Sequence, residues 1–231
     1  MLNSSTATCL QDGIRPLVKS QLSNKSNVWR KWRPVYKYTW ARWQHSSYKH
    51  FAANVGENKV VLDIGTGTGA YIKMLPKNNT YIFTDIDAAS LKNAEQQAKQ
   101  YLKPGSYQCV CCDAEAALQR FNLCDVISLL HVITVIPAPE KLLNQITSMM
   151  RPNMQIFIYV SGFSKKMPVK LNALVKFLGF NVIKVGGLHK NLSAEKVCFF
   201  NERYYLGSNL AVVWQHLGSV LNKKGLPKQA F

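Results

Sequence analysis

Between residues 61 and 131 the chain spaces a few residues whose types could do chemistry. Residues 61–71 read VLDIGTGTGAY, with Asp63 leading into Gly65, Gly67 and Gly69 at alternate positions. Asp85 follows Asp63 by 22 residues, Asp113 lies 28 further on, and His131 another 18 beyond that. Glycines at this spacing permit positive φ and let a ligand approach bare main chain. A carboxylate at 63 would repel a pyrophosphate but suits a ligand that carries an ammonium. Asp85 stands where an acid accepts hydrogen bonds from ribose hydroxyls. A carboxylate at 113 can accept a hydrogen bond from an exocyclic amine. An imidazole at 131 can take a proton, or orient a partner by a hydrogen bond.

These residues need a scaffold that brings them to one edge, and the flanking pattern supplies it. The apolar runs 59–64 (KVVLDI), 80–85 (TYIFTD), 107–112, 124–130 and 154–162 predict strands. Between them, 70–75, 88–102, 114–121 and 139–150 predict helices, the last with Pro139 in its first turn. Downstream, 169–178 predicts a helix, 181–185 and 196–200 an antiparallel pair of strands, and 209–221 a further helix. Strands alternating with helices define an α/β protein: a doubly wound, mainly parallel seven-stranded sheet with helices on both faces. Asp63, Asp85 and Asp113 then fall at or beside strand ends, around the crevice where open α/β sheets bind ligands.

Charge divides the chain of 231 residues, whose formal net charge is +17. Residues 13–56 hold nine lysines and arginines and no acid, and residues 141–194 hold eight and again no acid. Nine of the twelve acids lie in the stretch between. Such blocks point to a polyanionic partner. The N-terminal block also carries four of the five tryptophans, in WRKWRPVYKYTWARW (29–43), a surface suited to stacking bases or to packing as a lid. The expected organisation is a basic, aromatic N-terminal extension (1–56), a ligand-binding core (57–204), and a C-terminal helix and tail (205–231). No run predicts a membrane span, no signal peptide is legible, and the cysteines read as buried reduced thiols, so a cytoplasmic setting is expected with no metal site.

Three strand-end carboxylates with a glycine turn fit a cationic adenosine ligand without phosphates, and S-adenosylmethionine is such a ligand. The motifs LDIGTGTG, FTDID, CCDAEAALQRFNLCDVISLLHVI and PEKLLNQITSMMRPNMQIFIYV resemble the class I, Rossmann-like S-adenosylmethionine-dependent methyltransferases from about residue 57 to 162. The resemblance implies a cofactor site made by Asp63, Gly65, Thr66, Gly67, Gly69, Asp85, Ile86, Asp113, Ala114 and Leu130. In it the glycine loop cradles the methionine moiety, Asp63 lies near its amino group, Asp85 holds the ribose, and Asp113 with Ala114 faces the adenine. Asp87 is expected to face solvent.

The segment after the fourth strand, SLLHVITVIPAPE (128–140), should face the transferred methyl, which makes His131 the catalytic candidate. It lacks an Asn/Asp-Pro-Pro-Tyr element and a Pro-Cys pair. The mRNA cap guanine-N7 methyltransferases are similar at Leu130–His131, although Val132 replaces their aromatic residue. They are also similar at Arg15, Lys19 and Ser20 within IRPLVKSQL (14–22), without the usual asparagine pair. That resemblance implies RNA with a capped 5′ end as partner, held by Arg15, Lys19, Arg30, Arg33, Tyr36, Trp40 and Arg42, with N7 methylated by positioning alone. The alternative is a small-molecule O- or C-methyltransferase of the quinone, sterol or natural-product type, with His131 as general base.

Overall fold

The computed structural model describes residues 44–162, 196–204 and 207–215. Helix α1 (His45–Asn54) precedes β1 (Val60–Ile64), and a glycine turn with a short 3-10 segment (Ile72–Met74) leads to β2 (Thr80–Asp85). Then follow α2 (Ala88–Tyr101), β3 (Tyr107–Cys111), α3 (Ala114–Arg120), β4 (Val126–Leu130), α4 (Pro139–Met149) and β5 (Gln155–Gly162). The first five strands pair in parallel in the order β3-β2-β1-β4-β5. The winding reverses between β1 and β4, so the carboxyl ends of those two strands border the crevice that such sheets use for ligands.

Strand period decides which helix covers which face. Leu62, Ile64, Ile127, Leu129, Ile156 and Ile158 point to one side and pack with α3 and α4 through Leu118, Leu142, Leu143 and Ile146. Val61, Val126, Leu130, Phe157 and Tyr159 point to the other, under α1 and α2. Burial on both faces explains why β1 and β4 read as nearly unbroken apolar runs. α2 contributes Leu91, Ala94 and Ala98 to its face, three positions on one helical stripe. α1 has no side-chain cap, and its buried residues are only Ser47 and Phe51. Tertiary packing therefore holds it: Phe51 meets Phe157 edge-on at 5.1 Å and Tyr159 at 6.4 Å. Truncating such a buried Phe to Ala costs about 3–5 kcal/mol.

Two expectations change. Residues 70–75 form a turn and a single 3-10 segment, because Leu75 is extended (ψ 145°) ahead of Pro76, which disfavours the helical region for its predecessor. The apolar run beginning at 209 is not a helix. Gly207–Gln215 forms β7, antiparallel both to β5 and to β6 (Lys196–Tyr204). A continuous apolar run such as NLAVVW fits a buried strand as well as a helix, and here the pairing with β5 decides. Residues 196–200 do form part of an antiparallel pair, but with β7 as partner. The predicted strand 181–185 and helix 169–178 lie outside the described residues, as do residues 1–43.

Candidate active site

The glycine turn is tied to the end of β2. The N–H groups of Gly65 and Thr66 both donate to the Thr84 carbonyl, at 2.8 and 3.0 Å, and the Gly67 N–H donates to Asp85 Oδ2 at 2.7 Å. The three glycines serve different ends. All have positive φ, from 60° to 75°. A Cβ on Gly65 would lie 2.2 Å from a Val132 methyl, and one on Gly69 would collide with Ile72 and with the backbone of Ala94. Those two glycines permit close packing of β4's exit and of α2 against the turn. A Cβ on Gly67 would meet nothing within 4 Å. Gly67 is thus where the main chain faces open space.

Asp85 stands beside it. Its Oδ1 accepts from the Asp87 N–H at 2.8 Å while Oδ2 takes Gly67. A carboxylate has about four acceptor positions, so two backbone bonds orient it and leave capacity for a diol. Burial pushes its pKa up, against the lowering effect of those backbone donors. Ile86, apolar and 49% exposed, flanks it as a surface for a flat ring. This set fits the sulfonium nucleoside: main chain that only glycine leaves bare, an oriented acceptor and an apolar shelf.

Asp113 and Asp87 are helix caps. Asp113 Oδ1 accepts from the Ala116 N–H at 2.8 Å at the start of α3, and Asp87 accepts from Ala89 N–H and Ser90 Oγ at the start of α2. Asp87 is accordingly half-buried rather than simply facing solvent. Ala114 is half-buried on the core of its face, and Leu130 is buried at the end of β4.

Asp63 is only 1% exposed. Its Oδ1 accepts from Ser128 Oγ at 2.5 Å, and its Oδ2 accepts from Thr66 Oγ1 at 2.6 Å and from the Tyr71 hydroxyl. Ser128 is its register partner across β1 and β4, so the strand period itself brings the two together. Three hydroxyls oppose the desolvation that raises the Asp63 pKa. The carboxylate locks the turn to β4 from within, instead of lining the crevice.

His131 directly follows β4 with φ 63°, in a region that non-glycine residues seldom occupy. Its N–H donates to the Tyr159 carbonyl at 2.8 Å, and its Nε2 lies 2.7 Å from Ser47 Oγ on α1. The Tyr48 ring meets the imidazole edge-on at 5.7 Å and stacks on Tyr71 at 4.9 Å. One turn further along α1, His50 Nδ1 lies 2.6 Å from the Tyr159 hydroxyl. Burial pushes His131 down to about 3 and lowers His50 as well, so both rings are neutral near pH 7. Sequence reasoning missed Ser47, Tyr48, His50, Tyr71 and Tyr159. Only the proximity of α1 to the first strand hinted at them. Cys109 and Cys112, on and just after the outer strand β3, have thiols raised by burial to about 11 and are poor nucleophiles. Among the described residues no cluster of His, Cys, Asp or Glu is placed to hold a metal ion, and no helix is long and apolar enough to cross a membrane. Arg15, Lys19, Arg30, Arg33, Tyr36, Trp40 and Arg42 lie outside the described residues.

Sheet order and the glycine turn after β1 are consistent with a Rossmann-like methyltransferase fold, and comparison with known proteins agrees. Residues 62–158 match a family model described as a methyltransferase domain. The protein is an S-adenosylmethionine-dependent methyltransferase, with S-adenosylmethionine as its cofactor. A search of curated protein sequences finds no match. Solved structures are similar in fold. The N-methyltransferase NodS from Bradyrhizobium japonicum WM9, in complex with S-adenosyl-L-homocysteine, is 14% identical with a TM-score of 0.56, over 76% of this chain and 86% of that one. CrArsM, an arsenic(III) S-adenosylmethionine methyltransferase from Chlamydomonas reinhardtii, is 15% identical with a TM-score of 0.53, over 71% and 65%. The [4+2]-cyclase SpnF is 12% identical with a TM-score of 0.59, over 77% and 82%.

Proposed function

We propose that this enzyme methylates a small-molecule acceptor that brings its own lone pair, positioned beside His131 at the end of β4. The observation that carries this reading is the construction of the acceptor side. His131 is held by Ser47 and the Tyr159 carbonyl and walled by Tyr48, a compact surface that is aromatic and uncharged among the described residues. When bound, the cofactor supplies an electrophilic methyl on a sulfonium. Gly67 and Asp85 would hold and orient it, with Ile86 and Asp113 as the residues that would meet its nucleoside end. His131 orients the acceptor.

A neutral imidazole whose pKa lies near 3 is a weak base, with little driving force for removing a proton from a phenol or carbon acid. His131 as a strong general base is therefore the less favoured mechanism. Transfer then depends on holding the acceptor's lone pair in line with the methyl–sulfur bond. An amine or an already ionised group meets that demand. The N-methyl and arsenic transfers named for NodS and CrArsM are consistent with such an acceptor. The capped-RNA reading draws on the Leu130–His131 pair, the basic blocks and residues 15–42, and no described contact supports it. A radiolabelled methyl-transfer panel tests the choice: a total metabolite extract should be labelled, and capped RNA with unmethylated guanosine should not. Label on the capped RNA alone overturns the proposal.

A further inference from the structure

We propose that Ser47 is a positioning residue that fixes the tautomer of His131, holding the ring proton on Nε2 and leaving Nδ1 as its basic nitrogen. Ser47 is fully buried on α1 and makes two short contacts, 2.7 Å to the Gln44 carbonyl and 2.7 Å to His131 Nε2. A hydroxyl has one proton. The Gln44 carbonyl has no proton to give, so the first contact is a donation from Ser47. With that proton committed, the second contact requires Nε2–H to donate to the Ser47 oxygen. The choice of tautomer is then written into the helix, one turn back from Ser47, and not into the strand that carries the imidazole.

The surroundings support a device of this kind. His131 sits at φ 63°, a strained conformation that persists where neighbours over-determine it. Its main-chain N–H is fixed by Tyr159 and its ring is flanked by Tyr48, so neither its position nor its tilt is left to the loop. Tyr48 in turn stacks on Tyr71, whose hydroxyl reaches Asp63 under the glycine turn. Consecutive residues of α1 therefore hold the acceptor-side imidazole and brace the cofactor turn. This inference rests on the reading that His131 faces the acceptor.

The test is long-range proton–nitrogen NMR of the full chain with its histidine rings labelled with nitrogen-15, in complex with S-adenosylhomocysteine. The wild type should show His131 as the Nε2–H tautomer by about tenfold, the worth of one net hydrogen bond. S47A should lose that preference, and S47T should restore it, with S-adenosylhomocysteine affinity by calorimetry unchanged in both. A wild-type Nδ1–H tautomer, or an S47A variant that keeps the wild-type tautomer, overturns the inference whether or not the variants are less stable. The underlying reading fails separately: if adding S-adenosylhomocysteine leaves the His131 ring signals unmoved in the wild type, His131 does not adjoin the transferred methyl.

Discussion

Residue by residue, the site separates groups that touch the crevice from groups that hold those in place, and substitution should reveal the difference. G67A places a methyl in open space at a positive φ. It should cost about 1 kcal/mol of stability, from backbone strain, yet sharply weaken S-adenosylhomocysteine binding. G65A drives the same methyl into Val132 and should cost several kcal/mol, in the range of overpacked cores, seen as a lowered denaturation midpoint. Calorimetry and chemical denaturation on the pair would check this division. Similarly, D63L would strand three buried hydroxyls at about 1–3 kcal/mol each, whereas D63N keeps one acceptor oxygen and offers an NH2 that hydroxyl oxygens can accept from, and should be milder. The glycines and Asp85 were legible in the sequence because a strand end and a tight turn fix their neighbourhood locally. The inward turn of Asp63 was not. It depends on Ser128, which becomes a neighbour only when β1 and β4 pair.

Among the elements, two aspartates cap helices at strand-to-helix junctions, and α3 offers the cleaner test. Asp113 caps α3 through one oxygen. D113S preserves a capping oxygen and should keep wild-type stability, while D113A should lose about 1 kcal/mol in chemical denaturation. Both should weaken S-adenosylhomocysteine binding equally if the second oxygen serves the adenine end. The capping role could have been read from the sequence, since Asp-Ala-Glu-Ala before a helical run is a start signal. The parallel strands and α2, α3 and α4 were readable from period and caps. Two elements were not. Helix α1 has little amphipathic pattern of its own and is placed by Phe51 against Phe157 and Tyr159. β7 is decided by its pairing with β5, which no local preference encodes. The residues of α1 that reach the site were missed for the same reason: a Ser, a Tyr and a His in a short polar helix look like solvent-facing positions.

For the molecule as a whole, burial of neutral imidazoles links stability to pH. His131 has a folded pKa near 3 against about 6.5 unfolded, and His50 is lowered too. The unfolded chain therefore binds protons that the native state refuses. Stability should be full above about pH 6.5 and fall as pH drops from there toward 3, by up to about 1.4 kcal/mol per pH unit for His131, with His50 acting in the same direction. Asp63 and Asp85 are raised and act in the opposite sense, favouring the fold as they protonate, so the histidine loss should be partly offset at the acid end. Denaturant titrations at several pH values should show the slope diminished in H131N, which tolerates positive φ and does not titrate. The excess of positive charge, +17 over the chain, concentrates in segments outside the described residues, and a weak salt dependence of catalysis would fit a small acceptor.

The account turns on the crevice beside Gly67 and Asp85 as the seat of the cofactor. Calorimetric titration of S-adenosylhomocysteine into the wild type and D85A tests it most directly. A single site in the wild type, weakened about 30- to 100-fold in D85A by loss of a charge-assisted acceptor, is the predicted result. Equal affinity in the two proteins would contradict it.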